Sequence, residues 1–144
     1  TLNSELFEKT SKSIKKEIVI EQTIGKGLVE LIEDGKLNSS DMDKLLSYYI
    51  KPMTKRNIDC LVLGCTHYPY LIPQIREIVG NSIQIIDSGQ AVAKETKAIL
   101  KSNKLLNDNT KTGKNLFLTN KDNKTLEKLL SNHSDKIKIM KKKF

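Results

Sequence analysis

The stretch Ile58-Asp59-Cys60-Leu61-Val62-Leu63 is apolar almost without a break and runs straight into Gly64, a short polar loop and Pro69. A run of this kind lacks the alternation of a strand with one wet face, and it predicts a central parallel strand covered on both sides. Gly64 ends the strand and Pro69 suits the first position of a helix. Leu71, Ile72, Ile75, Ile78 and Val79 then supply a buried helical stripe before Gly80.

The rest of the chain repeats this grammar. Ile83-Gln84-Ile85-Ile86 predicts a second strand, and Asp87-Ser88-Gly89 leads into a helix carrying Ala91, Val92, Ala98, Ile99 and Leu100. After a polar linker, Leu116-Phe117-Leu118 reads as a strand, residues 122–130 as a helix, and Ile137-Lys138-Ile139-Met140 as a last strand. Upstream, Leu6, Phe7 and Ile14 mark a helix over residues 4–16, and Glu17-Ile18-Val19-Ile20 a short strand. Leu28, Val29, Leu31 and Ile32 make a short helix stopped at Gly35. Ser39 and Ser40 can cap a helix through Met42, Leu45, Leu46 and Tyr49 that Pro52 ends. Alternating strands and helices define an α/β fold with a mainly parallel sheet flanked by helices.

The length of 144 residues suits one domain or two small lobes. No stretch approaches the roughly 20 apolar residues of a membrane span, and the first residues lack a signal peptide's basic flank and apolar run, so neither a membrane partner nor secretion is expected. The chain opens on Thr1 with a helix close behind, which reads as a fragment of a longer protein. Cys60 and Cys65 are too few for a disulfide framework, and a reducing, cytoplasmic setting fits them better. Their spacing, with His67 and His133 in distant segments, does not suggest a metal site.

The net charge of +8 falls entirely in the last third, where residues 101–144 carry 12 Lys against Asp108, Asp122, Glu127 and Asp135. Nucleic-acid binding would need clustered cations on one face. Only Arg56 and Arg76 are arginines, both outside this segment, and its only aromatics are Phe117 and Phe144. The lysines read as solvated surface, and no nucleic-acid partner is expected.

Ligands of open parallel sheets bind outside the carboxyl ends of the strands, and Gly64-Cys65-Thr66-His67-Tyr68 stands at such an end. Gly64 leaves room for a turn, and the following helix end would favour a thiolate at Cys65, since thiols so placed drop from about 8.5 to roughly 3.5–7.5 in pKa. Thr66 offers a hydroxyl and an N–H to an anionic ligand, and His67 exchanges protons near neutral pH. The same residues also fit a small buried Cys, a capping Thr and a satisfied His. Cys60, among apolar neighbours in mid-strand, reads as core. The pair Gly25-x-Gly27 is too sparse for a nucleotide loop.

Leu61-Val62-Leu63-Gly64-Cys65-Thr66-His67-Tyr68-Pro69-Tyr70-Leu71 resembles the second cysteine motif of bacterial glutamate racemases, L-G-C-T-H-Y/F-P-L/F-L, and matches it at every position from Gly64 to Pro69. Thr1-Leu2-Asn3-Ser4 is similar to the family's T-x-x-S helix start, Val29-Glu30-Leu31-Ile32-Glu33 to its V-P-L-x-E segment, and Ile86-Asp87-Ser88-Gly89 to its later D-S-G turn. Glu30 replaces the usual Pro, and Ile24-Gly25-Lys26-Gly27 stands where the family often has A-C-P-L. Glu33 is thus open to two readings, a carboxylate supporting the site or a solvated charge at a helix end.

The resemblance covers the second half of the family's length. It implies two α/β lobes with a site between them, and two cysteines on opposite faces of the substrate α-carbon that need neither pyridoxal phosphate nor metal. Cys65 matches the second cysteine, with His67 and Glu33 as further catalytic candidates and Thr66 and His67 as substrate-binding candidates. Residues 1–92 would form the second lobe, and residues 93–144 would complete a first lobe supplied by the missing amino-terminal half, which also carries the first cysteine.

The implied function is interconversion of L- and D-glutamate, supplying D-glutamate for cell-wall peptidoglycan, with this chain inactive alone. Aspartate racemases of the same superfamily more often resemble G-C-T-E, so His67 points to glutamate. Aspartate racemisation and a non-catalytic α/β remnant or binding module are the competing readings, and a homodimer is an open option.

Overall fold

The computed structural model describes residues 5–13, 18–107, 113–131 and 137–143. Its elements are α1 (Glu5–Ser13), α2 (Leu28–Glu33), α3 (Ser40–Thr54), β1 (Cys60–Leu63), a 3-10 turn (Tyr68–Leu71), α4 (Ile72–Val79), β2 (Gln84–Asp87), α5 (Gly89–Ser102), β3 (Asn115–Thr119), α6 (Lys124–Leu129) and β4 (Ile137–Lys141). The strands form two parallel pairs. β1 lies beside β2, from Cys60 opposite Gln84 to Leu63 opposite Asp87, and β3 lies beside β4, from Asn115 opposite Ile137 to Thr119 opposite Lys141. Each pair is joined through a helix, as parallel strands require. The α/β class expected from the sequence is what the chain adopts.

The core lies between one face of β1–β2 and helices α2, α3 and α4. Ile32, Met42, Leu46 and Leu71 are fully enclosed, with Leu28, Ile50, Leu63, Ile75, Val79 and Ile83 nearly so. Short helices owe their stability to such burial, since a helix as brief as α2 does not persist alone in water. Local signals agree with it. The Ser39 hydroxyl accepts from the Met42 N–H at 3.2 Å to start α3. Gly35 takes φ +70° just past α2, the left-handed conformation that glycine supplies most cheaply. At the far end of α4, Arg76 donates to the carbonyls of Gly80 and Ile83, both at 2.7 Å, and ties the helix to the approach of β2.

Several expectations are corrected. Residues 18–20 are irregular, with Val19 exposed and, among the described residues, no strand beside it for its β propensity to pair with. Helix α3 runs through Pro52 to Thr54, because the ring points to solvent near the helix end and costs a single backbone bond. Pro69 opens a 3-10 turn, and regular helix begins only at Ile72.

Strand β1 is covered on one face: Leu61 and Leu63 point into the core, while Val62 is 67% exposed beside Ile86 at 41%. Cys60, on the same side as Val62, is half-buried rather than enclosed. Ile14, Glu17, His133, Phe144 and the Thr1-Leu2-Asn3-Ser4 start lie outside the described residues.

Leu71 joins the loop after β1 to the core, so Leu71→Ala is expected to lower unfolding free energy by about 2–5 kcal/mol, the range for a large-to-small change at an enclosed site. Urea unfolding followed by circular dichroism measures it, and a loss well under 1 kcal/mol would show that Leu71 is not part of the packed core.

Candidate active site at the carboxyl end of β1

Parallel pairing sets the carboxyl ends of β1 and β2 side by side, with Leu63 opposite Asp87. Two turns therefore leave the same sheet edge. After β2 the Gly89 N–H donates to Asp87 Oδ1 at 2.8 Å, a compact turn into α5. After β1 the chain passes through Gly64, Cys65, Thr66 and His67, closed by the Tyr68 N–H donating to the Cys65 carbonyl at 3.2 Å and the Tyr70 N–H to the His67 carbonyl at 3.2 Å. Gly64 is not in a left-handed conformation and no side chain closes on it, so the space beside it is open. Cys65 stands well ahead of α4, and the expected setting at the start of a regular helix is replaced by a tight turn.

The turn brings together three of the four candidate residues. Cys65 Sγ lies 3.9 Å from His67 Nδ1, within reach of a long thiol–imidazole hydrogen bond. His67 Nε2 lies 3.4 Å from Glu33 Oε1, at the end of α2. The imidazole thus stands between the two other groups, with Nε2 facing the carboxylate and Nδ1 facing the sulfur. His67 is one-third exposed and Glu33 more than half, so this contact adds little to stability. Glu33 stands at the end of α2, largely exposed, with its carboxylate in contact with His67. Thr66 is exposed beside Cys65, its hydroxyl turned to neither His67 nor Glu33 by any hydrogen bond.

Behind the loop lies a contact that the sequence did not announce. Tyr68 donates its hydroxyl to the Gly25 carbonyl at 3.3 Å, and Tyr49 donates to the neighbouring Lys26 carbonyl at 3.0 Å. Burial raises the Tyr68 phenol above its ordinary range, helped by the negative potential of Cys65, Tyr49 and Glu30. The lack of a side chain at Gly25 leaves the space that the phenol occupies at the start of α2. On the other side of α2, Thr125 Oγ1 donates to the Glu33 carbonyl at 2.9 Å and Lys128 Nζ to the Gly35 carbonyl at 2.6 Å, neither visible in any sequence pattern.

Among the described residues no group of three or more His, Cys, Asp or Glu is arranged to hold a metal ion, and no helix is long and apolar enough to cross a membrane.

Fold and site together define an α/β protein with a thiol, an imidazole and a carboxylate in line at the carboxyl edge of a parallel sheet. By sequence and by structure the chain is a homologue of the glutamate racemases. It is 36% identical over 119 residues to a glutamate racemase of Bacillus cereus, a match covering 83% of this chain and 44% of the relative. It is 42% identical over 104 residues to one of Pseudomonas putida, covering 72% of this chain and 39% of the relative.

Among solved structures, glutamate racemase isoform RacE1 from Bacillus anthracis superposes with a TM-score of 0.77 at 25% identity, covering 96% of this chain and 52% of the other. The Francisella tularensis glutamate racemase in complex with D-glutamate superposes with a TM-score of 0.61 at 25% identity, covering 81% and 45%. The chain thus spans about half, or less, of the length of these relatives. No protein-family profile matches it.

A phenol whose pKa is raised on folding keeps its proton in the native state at a pH where the unfolded chain has lost it. Stability then falls as pH climbs past the unfolded value near 10. Tyr68→Phe is expected to flatten this alkaline fall, read as the urea midpoint between pH 9 and 11. Parallel curves for the two proteins would mean that Tyr68 titrates as it does in the unfolded chain.

Proposed function

We propose that the chain is the carboxyl-terminal portion of a glutamate racemase and supplies one of its two acid/base thiols. His67 in contact with both Cys65 and Glu33, in a chain homologous to glutamate racemases, is the observation that carries this reading. In the proposed reaction the Cys65 thiolate takes the α-proton from one face of glutamate, and the bonding pair stays on the α-carbon, spread into the carboxylate. A thiol on the opposite face delivers its own proton to that carbon, so inversion leaves Cys65 as the thiol and its counterpart as the thiolate. The reverse direction exchanges the roles, which calls for an acid and a base of matched strength. His67 and Glu33 tune the proton on Cys65, and Thr66, exposed at the loop, is placed to donate to a substrate carboxylate.

The opposite thiol is not Cys60. That residue begins β1 and Cys65 follows its end, so at about 3.3 Å per residue the two lie up to roughly 16 Å apart along the chain. The second thiol belongs, in this reading, to the part of the relatives that the chain does not span. That part would also cover the bare face of β1–β2 around Val62 and Ile86, and would pack on residues 93–144. The α5 helix has no buried residue, and Leu116, Leu118 and Met140 of the second pair are exposed, as expected of surfaces that complete a first lobe. The boundary near residue 92 rests on the buried residues, all of which fall between Leu28 and Ile83, with Leu129 of α6 packed against them from beyond it.

The reaction uses neither pyridoxal phosphate nor metal, and it provides D-glutamate for peptidoglycan in the cytoplasm. Glutamate is favoured over aspartate as substrate because His67 replaces the carboxylate expected of aspartate racemases, and because a relative of this fold is crystallised with D-glutamate.

The 144-residue chain alone is expected to form no D-glutamate, and to become active when co-expressed with the amino-terminal half of the Bacillus cereus relative. In that complemented enzyme Cys65→Ser should cost about 10³-fold in rate, within the range for a lost acid/base group, while Cys60→Ala leaves it nearly unchanged. His67→Asn should slow one direction more than the other. Optical rotation and α-carbon deuterium exchange with glutamate and aspartate measure these outcomes. D-glutamate formation by the isolated chain, equal losses for both cysteine variants, or faster exchange into aspartate would each sink the corresponding part of the reading.

A further inference from the structure

The Gly25-x-Gly27 pair and the Tyr68 phenol are used by none of the steps above, yet they meet. A methyl group on Gly25 would fall 2.7 Å from the Tyr68 hydroxyl oxygen and 2.6 Å from Leu28 Cδ1, so the seat of the phenol exists because residue 25 has no side chain. Gly27, at φ +86°, then turns the chain into α2, a conformation that a side chain would strain. The Tyr49 hydroxyl holds Lys26 between them, so this turn is gripped from α3 and from the loop after β1 at once.

We infer that Tyr68 and Gly25 are a positioning pair, in which the Tyr68 hydroxyl ties the Cys65–His67 loop to the start of α2 and thereby sets the spacing of Glu33, His67 and Cys65. Helix α2 has six residues, so it is a stiff spacer of about 9 Å at 1.5 Å per residue. Its start is tied to residue 68 by the phenol, and its end meets residue 67 through the Glu33 carboxylate. Anchoring both ends of a short rod to adjacent residues of one loop leaves that loop little freedom to swing. A phenyl ring would fill the same volume without the tether. Tyr68 touches no reacting atom in this account and acts through His67. The inference rests on the proposed acid/base reading of Cys65, and its test needs no turnover.

The ionisable groups facing the loop are Glu30 and Glu33 from α2, Tyr49 from α3, and His67 and Tyr68 from the loop itself. The experiment follows iodoacetamide alkylation of the 144-residue chain across pH by mass spectrometry, in a Cys60→Ala background where Cys65 is the one thiol.

Tyr68→Phe is expected to move the midpoint of the alkylation profile by about half a pH unit or more, because it changes how His67 meets the thiol. The melting temperature should stay within about 3 °C, since the ring and its packing remain. Gly25→Ala should move the midpoint in the same direction by unseating the phenol. With His67→Ala already present, Tyr68→Phe should have no effect on the profile. An unmoved midpoint in Tyr68→Phe overturns the inference, as does an equal shift in the His67→Ala background. Should Gly25→Ala fail to fold, the Tyr68→Phe and His67→Ala cycle decides alone. An active complemented enzyme with an unmoved thiol profile would sink the positioning pair and leave the racemase reading standing, and a shifted profile in a chain that cannot be complemented would do the reverse.

Discussion

The burial of one face of β1–β2 beneath three helices fixes where everything else can go. Leu61 and Leu63 turn inward with Ile83 and Ile85, and α2, α3 and α4 close over them. Fully burying such a side chain contributes about 1.5–3 kcal/mol. The four most enclosed residues, Ile32, Met42, Leu46 and Leu71, come from α2, α3 and the 3-10 turn, so this energy organises elements too short to hold a shape alone. Ile32 immediately precedes Glu33, and Leu71 closely follows His67. Packing at those two positions delivers a carboxylate and an imidazole to the same rim of the sheet, 3.4 Å apart, although the residues that carry them lie far apart in the chain.

Much of this was legible because it is written locally. The Ser39 cap, the left-handed Gly35, the four strands and the helices between them each leave a signature within a few residues, and all of them form. The errors have a common cause, which is that local signals do not know their neighbours. Residues 18–20 have the composition of a strand and no edge to join. Pro52 breaks helices in general, but here its ring faces water near a terminus. The apolar run of β1 is that of a strand buried twice, while the described residues bury it once.

The candidate site divides along the same line. Cys65, Thr66 and His67 are consecutive and could be read from chemistry alone. Glu33 could be singled out through likeness to a family segment, because nothing in its own surroundings marks it as different from the other acidic residues of a solvated helix. Tyr68 and Gly25, separated by 43 positions, have no shared pattern at all. Such contacts follow from the crossing of elements, which a periodicity does not encode.

Glu33 is held from two directions, and the second comes from a part of the chain with little core of its own. Ile32 anchors α2 from the front. From behind, α6 sets Thr125 and Lys128 against the carbonyls of Glu33, the last residue of α2, and of Gly35 just beyond it. Leu129 of the same helix reaches the core beneath. A cation at a helix carboxyl terminus also meets the negative end of its dipole, so Lys128 suits this position electrostatically as well as by hydrogen bonding. The backbone of Glu33 is thereby fixed while its carboxylate remains free to meet His67. A segment that contributes no side chain to the rim still fixes the backbone from which the carboxylate projects, and the placement of thiol, imidazole and carboxylate depends on α6 as well as on the Cys65 loop.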